Sequence, residues 1–187
     1  MGNLVIGQKV AYPNQGVCVV ESHKSCVSGA VTISGFSLRV LSDNSTIFVP
    51  DSNTDNIGIR PLISTSECIK LLDRLEGDFD RISLDWKVRS KDFIDKIRSG
   101  DLFEVADVLK KLTYLSHRKK LSFREQSLME KARFLIVSEL SNAKIAIGSH
   151  IDSLVDQLVQ TACANHYEPD VEPNVAVLPD DASITIQ

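Results

Sequence analysis

The chain reads as an α+β protein, with a small N-terminal β-barrel of the Tudor or SH3 type followed by an all-helical domain. Three observations predict this. Residues 1–62 hold short runs rich in Val, Ile, Thr and Phe, interrupted by Gly, Asn and Pro. From Ile63 onward the apolar spacing becomes helical. Beyond Asn165 the periodicity stops. The expected divisions are 1–62 for the barrel, 63–164 for the helices and 165–187 for an acidic, disordered tail.

The first strand is expected over 9–13, and Asn14-Gln15-Gly16 turns it into a second over 17–21. Two further β-rich stretches, 31–33 and 36–41, lie around Gly29 and Gly35. Asp43-Asn44-Ser45 then turns the chain into Thr46-Ile47-Phe48-Val49-Pro50. Five short strands with such turns predict a closed barrel, an architecture that usually binds partners. Alternation along the last strand points Ile47 and Val49 inward and Phe48 outward.

The helices follow from caps and spacing. Ser64, Thr65 or Ser66 can cap a first helix carrying Ile69, Leu72 and Leu75, which Gly77 ends. Ser83 opens a second, with Val88, Ile94 and Ile97 at helical spacing and a stop at Ser99-Gly100. Asp101 caps a third, whose apolar side is Leu102, Val105, Ala106, Val108, Leu109 and Leu112. After a basic loop, Ser122-Phe123-Arg124-Glu125 has the spacing of a capping box and begins a long fourth helix to about Ile145, ended by Gly148. A fifth, 149–164, puts Ile151, Leu154, Val155, Leu158, Val159 and Ala162 on one face.

The formal net charge of −4 conceals an uneven distribution. Residues 1–85 carry −3, residues 86–133 carry +6, and residues 145–187 hold 7 acids with no Lys or Arg. A basic central block therefore stands between a near-neutral start and an acidic end, and a polyanion is a natural partner for it. No apolar run has the length of a membrane span. The opening Met1–Gly7 does not read as a secretory leader, and Ile6 stands where myristoylation needs Ser or Thr. Cys18, Cys26, Cys68 and Cys163 are scattered, as in a protein of a reducing compartment, so a cytoplasmic location is expected. His23, His117, His150 and His166 lack ligand spacing, and no phosphate loop or nucleophile elbow occurs. No enzyme, metal or cofactor is expected, and a monomer is.

Trp86, the single tryptophan, lies in the polar stretch Ser83-Leu84-Asp85-Trp86-Lys87-Val88-Arg89-Ser90-Lys91. Two readings stand: a core or interface residue, or a flat wedge laid between bases with cations beside it. The loop Arg118, Lys119 and Lys120 is likewise either a solvated surface or a set of phosphate contacts.

The ordered motifs sharpen these alternatives. Residues 5–17, with Val10-Ala11-Tyr12-Pro13-Asn14-Gln15-Gly16-Val17 at their centre, resemble the "GDxVVYPxHGV" opening of the CarD/CdnL family of bacterial RNA polymerase-binding transcription factors. Phe48-Val49-Pro50 resembles its "xVP" strand end, and Trp86, Arg89 and Ser99-Gly100-Asp101 resemble its "W…R…SGD" series. Lys120-Leu121-Ser122, Ala132-Arg133 and Glu139-Leu140 resemble "LSxGEKRMLxxARxLLxxEL". The resemblance covers about residues 4–145, in order and at family-like spacing.

That resemblance implies a barrel docking on the polymerase β subunit through an edge strand, with Arg39, Thr46, Phe48 and Pro50 at the contact. It also implies a helical domain reaching promoter DNA at the upstream bubble edge, where Trp86 wedges into the minor groove without reading sequence. Arg89 and Lys91 would then be its phosphate contacts, joined by Lys131 and Arg133 on the fourth helix. Gln126 and Ser127 replace two family cations, Asp85 adds a charge that phosphate repels, and Phe48 replaces a cation. The rival reading is a protein–protein adaptor in which Trp86 anchors an interface.

Overall fold

The computed structural model describes residues 4–28, 31–143 and 150–166. The Gly29 turn, the Gly148 helix stop and the tail from residue 167 lie outside the described residues. The N-terminal part is one antiparallel sheet of β1 (Lys9–Tyr12), β2 (Gly16–Ser28), β3 (Val31–Val40), β4 (Thr46–Pro50) and β5 (Arg60–Pro61). A 3-10 turn, Asp51–Asn53, and the short helix α1, Thr54–Ile57, connect β4 to β5.

The strand order is β4-β3-β2-β1-β5, and this corrects the expected barrel. β4 pairs only with β3 and β5 only with β1, so the two edges never meet and the sheet stays open. The strand that would have to close it is two residues long and ends in Pro61, which has no N–H to donate. Ile57 and Ile59 instead pack on the apolar face formed by Val10, Cys18, Val20, Leu38, Val40 and Val49.

The expected break at Gly35 is also absent. β3 runs through Gly35, which pairs with Pro50. A Cβ there would lie 2.8 Å from the Phe48 ring and 2.9 Å from Pro50 Cα. Glycine lets the edge strand approach; it does not turn the chain. The register shifts instead between Val20 and Ser22, as at a β-bulge.

The helices are α2 (Thr65–Glu76), α3 (Trp86–Ser99), α4 (Leu102–Arg118), α5 (Phe123–Asn142) and α6 (Ile151–Asn165). Ser64 and Ser122 both make complete capping boxes, with Glu67 and Glu125 respectively. α2 buries Cys68, Leu71 and Leu75, one residue round from the expected face, leaving Ile69 exposed. α3 buries Arg89, Phe93 and Ile97, and Val88 faces solvent. α4 is the central helix, packed against the other four, and it is buried on nearly every side.

The buried charges of Asp107 and Lys110 in α4 are satisfied. Arg74 donates to both carboxylate oxygens of Asp107, at 3.0 and 2.5 Å. The fully buried Lys110 donates to the carbonyls of Arg74, Gly77 and Asp78 at 2.6, 2.9 and 3.2 Å. It thereby occupies carbonyls that the end of α2 would otherwise leave unpaired.

Sheet and helices meet along α5. Arg60 donates to Glu139 at 2.5 and 3.0 Å and to the Gly100 carbonyl at 3.0 Å, while Glu139 also accepts from Ile63 N at 3.0 Å. Gly100 sits at φ +76°, and a Cβ on it would lie 3.0 Å from the Pro13 ring. Only glycine fits both the left-handed turn between α3 and α4 and the β1–β2 turn pressed on it.

Candidate nucleic-acid interface

Asp85 is the N-cap of α3, with its carboxylate accepting from Lys87 N at 2.8 Å. The acid beside the tryptophan thus faces the helix start, where backbone N–H groups and the helix dipole favour it. Trp86 follows as the first helical residue, and it is 57% exposed. It is not a core residue of the described fold.

From Trp86 a groove runs between α3 and α5. Lys87, Lys91, Ile94 and Arg98 line it from α3 at the i, i+4, i+7, i+11 spacing of one helix face, and Arg124 lines it from α5. Its continuation passes Arg98 and Arg124 to Lys131, Phe134 and the turn residue Asn14. Asp95 and Glu130 are the carboxylates on its border.

Two expected phosphate contacts are placed elsewhere. Arg89 is buried, donating to the carbonyls of Ser83 at 2.6 Å and Leu84 at 3.5 Å and to Glu125 at 2.9 Å. It ties α3 to α5 from beneath the groove and does not face solvent. Arg133 donates to both oxygens of Asp156, at 2.8 and 2.9 Å, and to Asp152 at 3.1 Å, strapping α5 to α6.

The remaining cations lie nearer the surface. Lys91 is exposed on the groove. Lys131 leans on the Phe134 ring, 5.2 Å from its centre, and burial lowers its pKa against the opposing pull of Asp43. Arg118 lies over the Tyr114 ring at 4.6 Å, Lys119 is 3.3 Å from Glu125, and Lys120 is exposed. Burial pushes the Glu125 carboxyl up, but donors from Ser122, Arg89 and Lys119 outweigh it and hold the group at about 2.

Lys87, Arg98 and Arg124 are groove residues absent from the expected set. The signal for Arg98 was available: it stands seven residues after Lys91, on the same face of one helix.

The other expected contact is the free edge of the sheet. Among the described residues β4 has no neighbour beyond it, and along it Thr46 and Phe48 are exposed and Pro50 half-buried, while Val49 is in the core. Arg39, opposite Thr46 on β3, is held by Glu21 at 2.6 Å and Asn44 at 3.2 Å.

A family model described as the CarD C-terminal domain matches residues 70–156, which spans the groove. The chain is also 27% identical over 140 residues to "Putative transcription factor YdeB" of Bacillus subtilis (strain 168), covering 74% of this chain and 91% of that protein. Over its C-terminal part the chain is similar to the CarD family.

The solution NMR structure of the 72-residue N-terminal domain of Myxococcus xanthus CarD is 31% identical in sequence, covering 31% of this chain and 77% of that one, with a TM-score of 0.27. No described helix is long and apolar enough to cross a membrane. Among the described residues no cluster of His, Cys, Asp and Glu could hold a metal ion. The four cysteines are free, and burial raises the thiols of Cys18, Cys68 and Cys163 to about 11.

Proposed function

We propose that this chain bridges RNA polymerase and promoter DNA, acting on the opening of the promoter without reading its sequence. A transcription-factor role of the CarD/CdnL type is the ground for this reading. The observation that carries it is Trp86: a large aromatic, 57% exposed, at the mouth of a groove lined by Lys87, Lys91, Arg98 and Arg124. Water is a poor environment for an indole, and cations attract phosphate, so the pair suits a minor groove opened by an inserted ring.

In this reading residues 1–62 form the polymerase-docking part and residues 63–164 the DNA-facing part. β4 offers Thr46, Phe48 and Pro50 to a strand of the polymerase β subunit, since an unpaired edge presents free N–H and C=O groups. Arg39 orders that edge through Glu21 and Asn44. Lys91, Arg118, Lys119, Lys120 and Lys131 add charge toward the backbone, with Lys87, Arg98 and Arg124. Arg89 and Arg133 position α3, α5 and α6 under them.

Unstacking a base step costs a few kcal/mol. Docking on polymerase offsets it by raising the effective concentration of the groove at the bubble edge. A stopped-flow promoter-opening assay tests this. Trp86→Ala shortens open-complex lifetime and leaves polymerase binding unchanged; equal lifetimes would remove the wedge.

A further inference from the structure

Trp86 and Phe123 occupy the same place in two helices. Each is the first residue of its helix, each follows directly on the N-cap (Asp85 or Ser122), and each precedes a cation (Lys87 or Arg124). Both rings are exposed, Phe123 more so, at 89%.

The two helix starts are also fastened together. Arg89, three residues after Trp86, donates at 2.9 Å to Glu125, two residues after Phe123. The same guanidinium holds the Ser83 carbonyl at 2.6 Å, so the approach to Trp86 is fixed by the same contact. Glu125 in turn accepts from Ser122 N at 3.0 Å and Ser122 Oγ at 2.9 Å, immediately before Phe123.

Phe123 contributes to neither core of the described fold. A phenyl ring left in water forgoes the stabilisation that burial would give it. Its sequence neighbours are Arg124 and, before the cap, Lys119 and Lys120, all exposed. Glu125, two residues on in sequence, is already bonded to Ser122, Arg89 and Lys119. An apolar ring set among cations suits a ligand that is flat, apolar and anionic at once. Unstacked nucleotides have that chemistry, and aromatic side chains stack on any base.

We propose that Phe123 is a second base-stacking residue, engaging unpaired nucleotides of the same melted DNA that Trp86 enters. The proposal rests on the Trp86 reading and deepens it: the ligand is single-stranded nucleotide at the bubble, held by two rings on helix starts locked by Arg89 and Glu125. Paired duplex, with its bases covered, engages the cations but not Phe123.

The test is a titration of the full chain into 2-aminopurine-labelled DNA, either with a short unpaired bubble or fully paired. Phe123→Ala weakens bubble binding by about tenfold, the scale of one lost base–aromatic stack, while paired-duplex affinity moves by less than about twofold. Phe123→Tyr, which keeps the ring, retains bubble affinity. If Trp86→Ala weakens bubble binding and Phe123→Ala does not, the Phe123 proposal fails and the wedge stands. If neither variant moves bubble affinity, both fall. An equal loss on bubble and paired DNA also overturns the proposal, because stacking requires an uncovered base.

Discussion

Arg89 of α3 and Glu125 of α5 form a buried ion pair, 2.9 Å long, in which each partner also holds the backbone that precedes a helix. Removing Arg89 leaves Glu125 short of a partner and the Ser83 carbonyl unpaired. Arg89→Ala should cost about 2–4 kcal/mol of stability, read from denaturant midpoints, a little under the roughly 3–5 kcal/mol for breaking a fully buried pair, since Glu125 is partly exposed. Arg89→Lys should recover only part of it, because one ammonium cannot fork to two elements.

The same pair sets an acid limit. The folded pKa of Glu125, about 2, lies below the ordinary carboxyl value, so its contribution to stability is full above about pH 4.5 and is lost as pH falls toward 2. Glu125→Gln should therefore flatten the loss of stability between those limits. Denaturation midpoints at stepped pH would check it, and an unchanged slope would exclude Glu125 as a source.

Glu139 is 3% exposed and accepts three hydrogen bonds, two from Arg60 and one from Ile63 N. Glu139→Ala strands all three donors. The expected loss is about 3 kcal/mol, with faster proteolysis between β5 and α2 as the earliest sign.

Groove cations and strap cations should separate in salt titrations of DNA binding. Arg98→Gln with Arg124→Gln should lower the slope of log K against log salt by about 2, near 0.9 for each phosphate released. Arg133→Gln should leave the slope nearly unchanged, since Asp152 and Asp156 already hold its charge. Its effect should appear instead in thermal stability.

Phe48→Asp should abolish capture by purified polymerase while DNA affinity stays within about twofold, since an edge-strand anchor lies on the partner-facing side. Undiminished capture would remove β4 as the docking edge.

Much of this was legible locally. Asp101 and Ser122 announced two helix starts, and the trio Ser64, Thr65 and Ser66 a third that Ser64 caps, because caps are short-range chemistry. Ser83 did not cap α3: Asp85, two residues later, does so, and the Ser83 carbonyl serves Arg89 instead. Closure of the sheet was not legible, since it depends on whether β4 and β5 meet, and neither carries that information. β5 itself, two residues with a proline, has no period to detect. Trp86 and Lys91 were readable as an aromatic among cations. The fates of Arg89 and Arg133 were not, because their carboxylates lie 36 and 19–23 residues away in sequence.

The Arg60–Glu139 contact also bears on reach. Glu139 grips the chain on both sides of Leu62, so extra residues inserted after Ile63 would not lengthen the span from β4 to Trp86 while that grip holds. On the proposed reading the protein is a ruler, not a leash: it sets how far from its docking point the duplex is entered. A DNA duplex advances about 3.4 Å per base pair. Loosening Glu139 should therefore blur the position of the upstream bubble edge by whole base pairs before it abolishes opening.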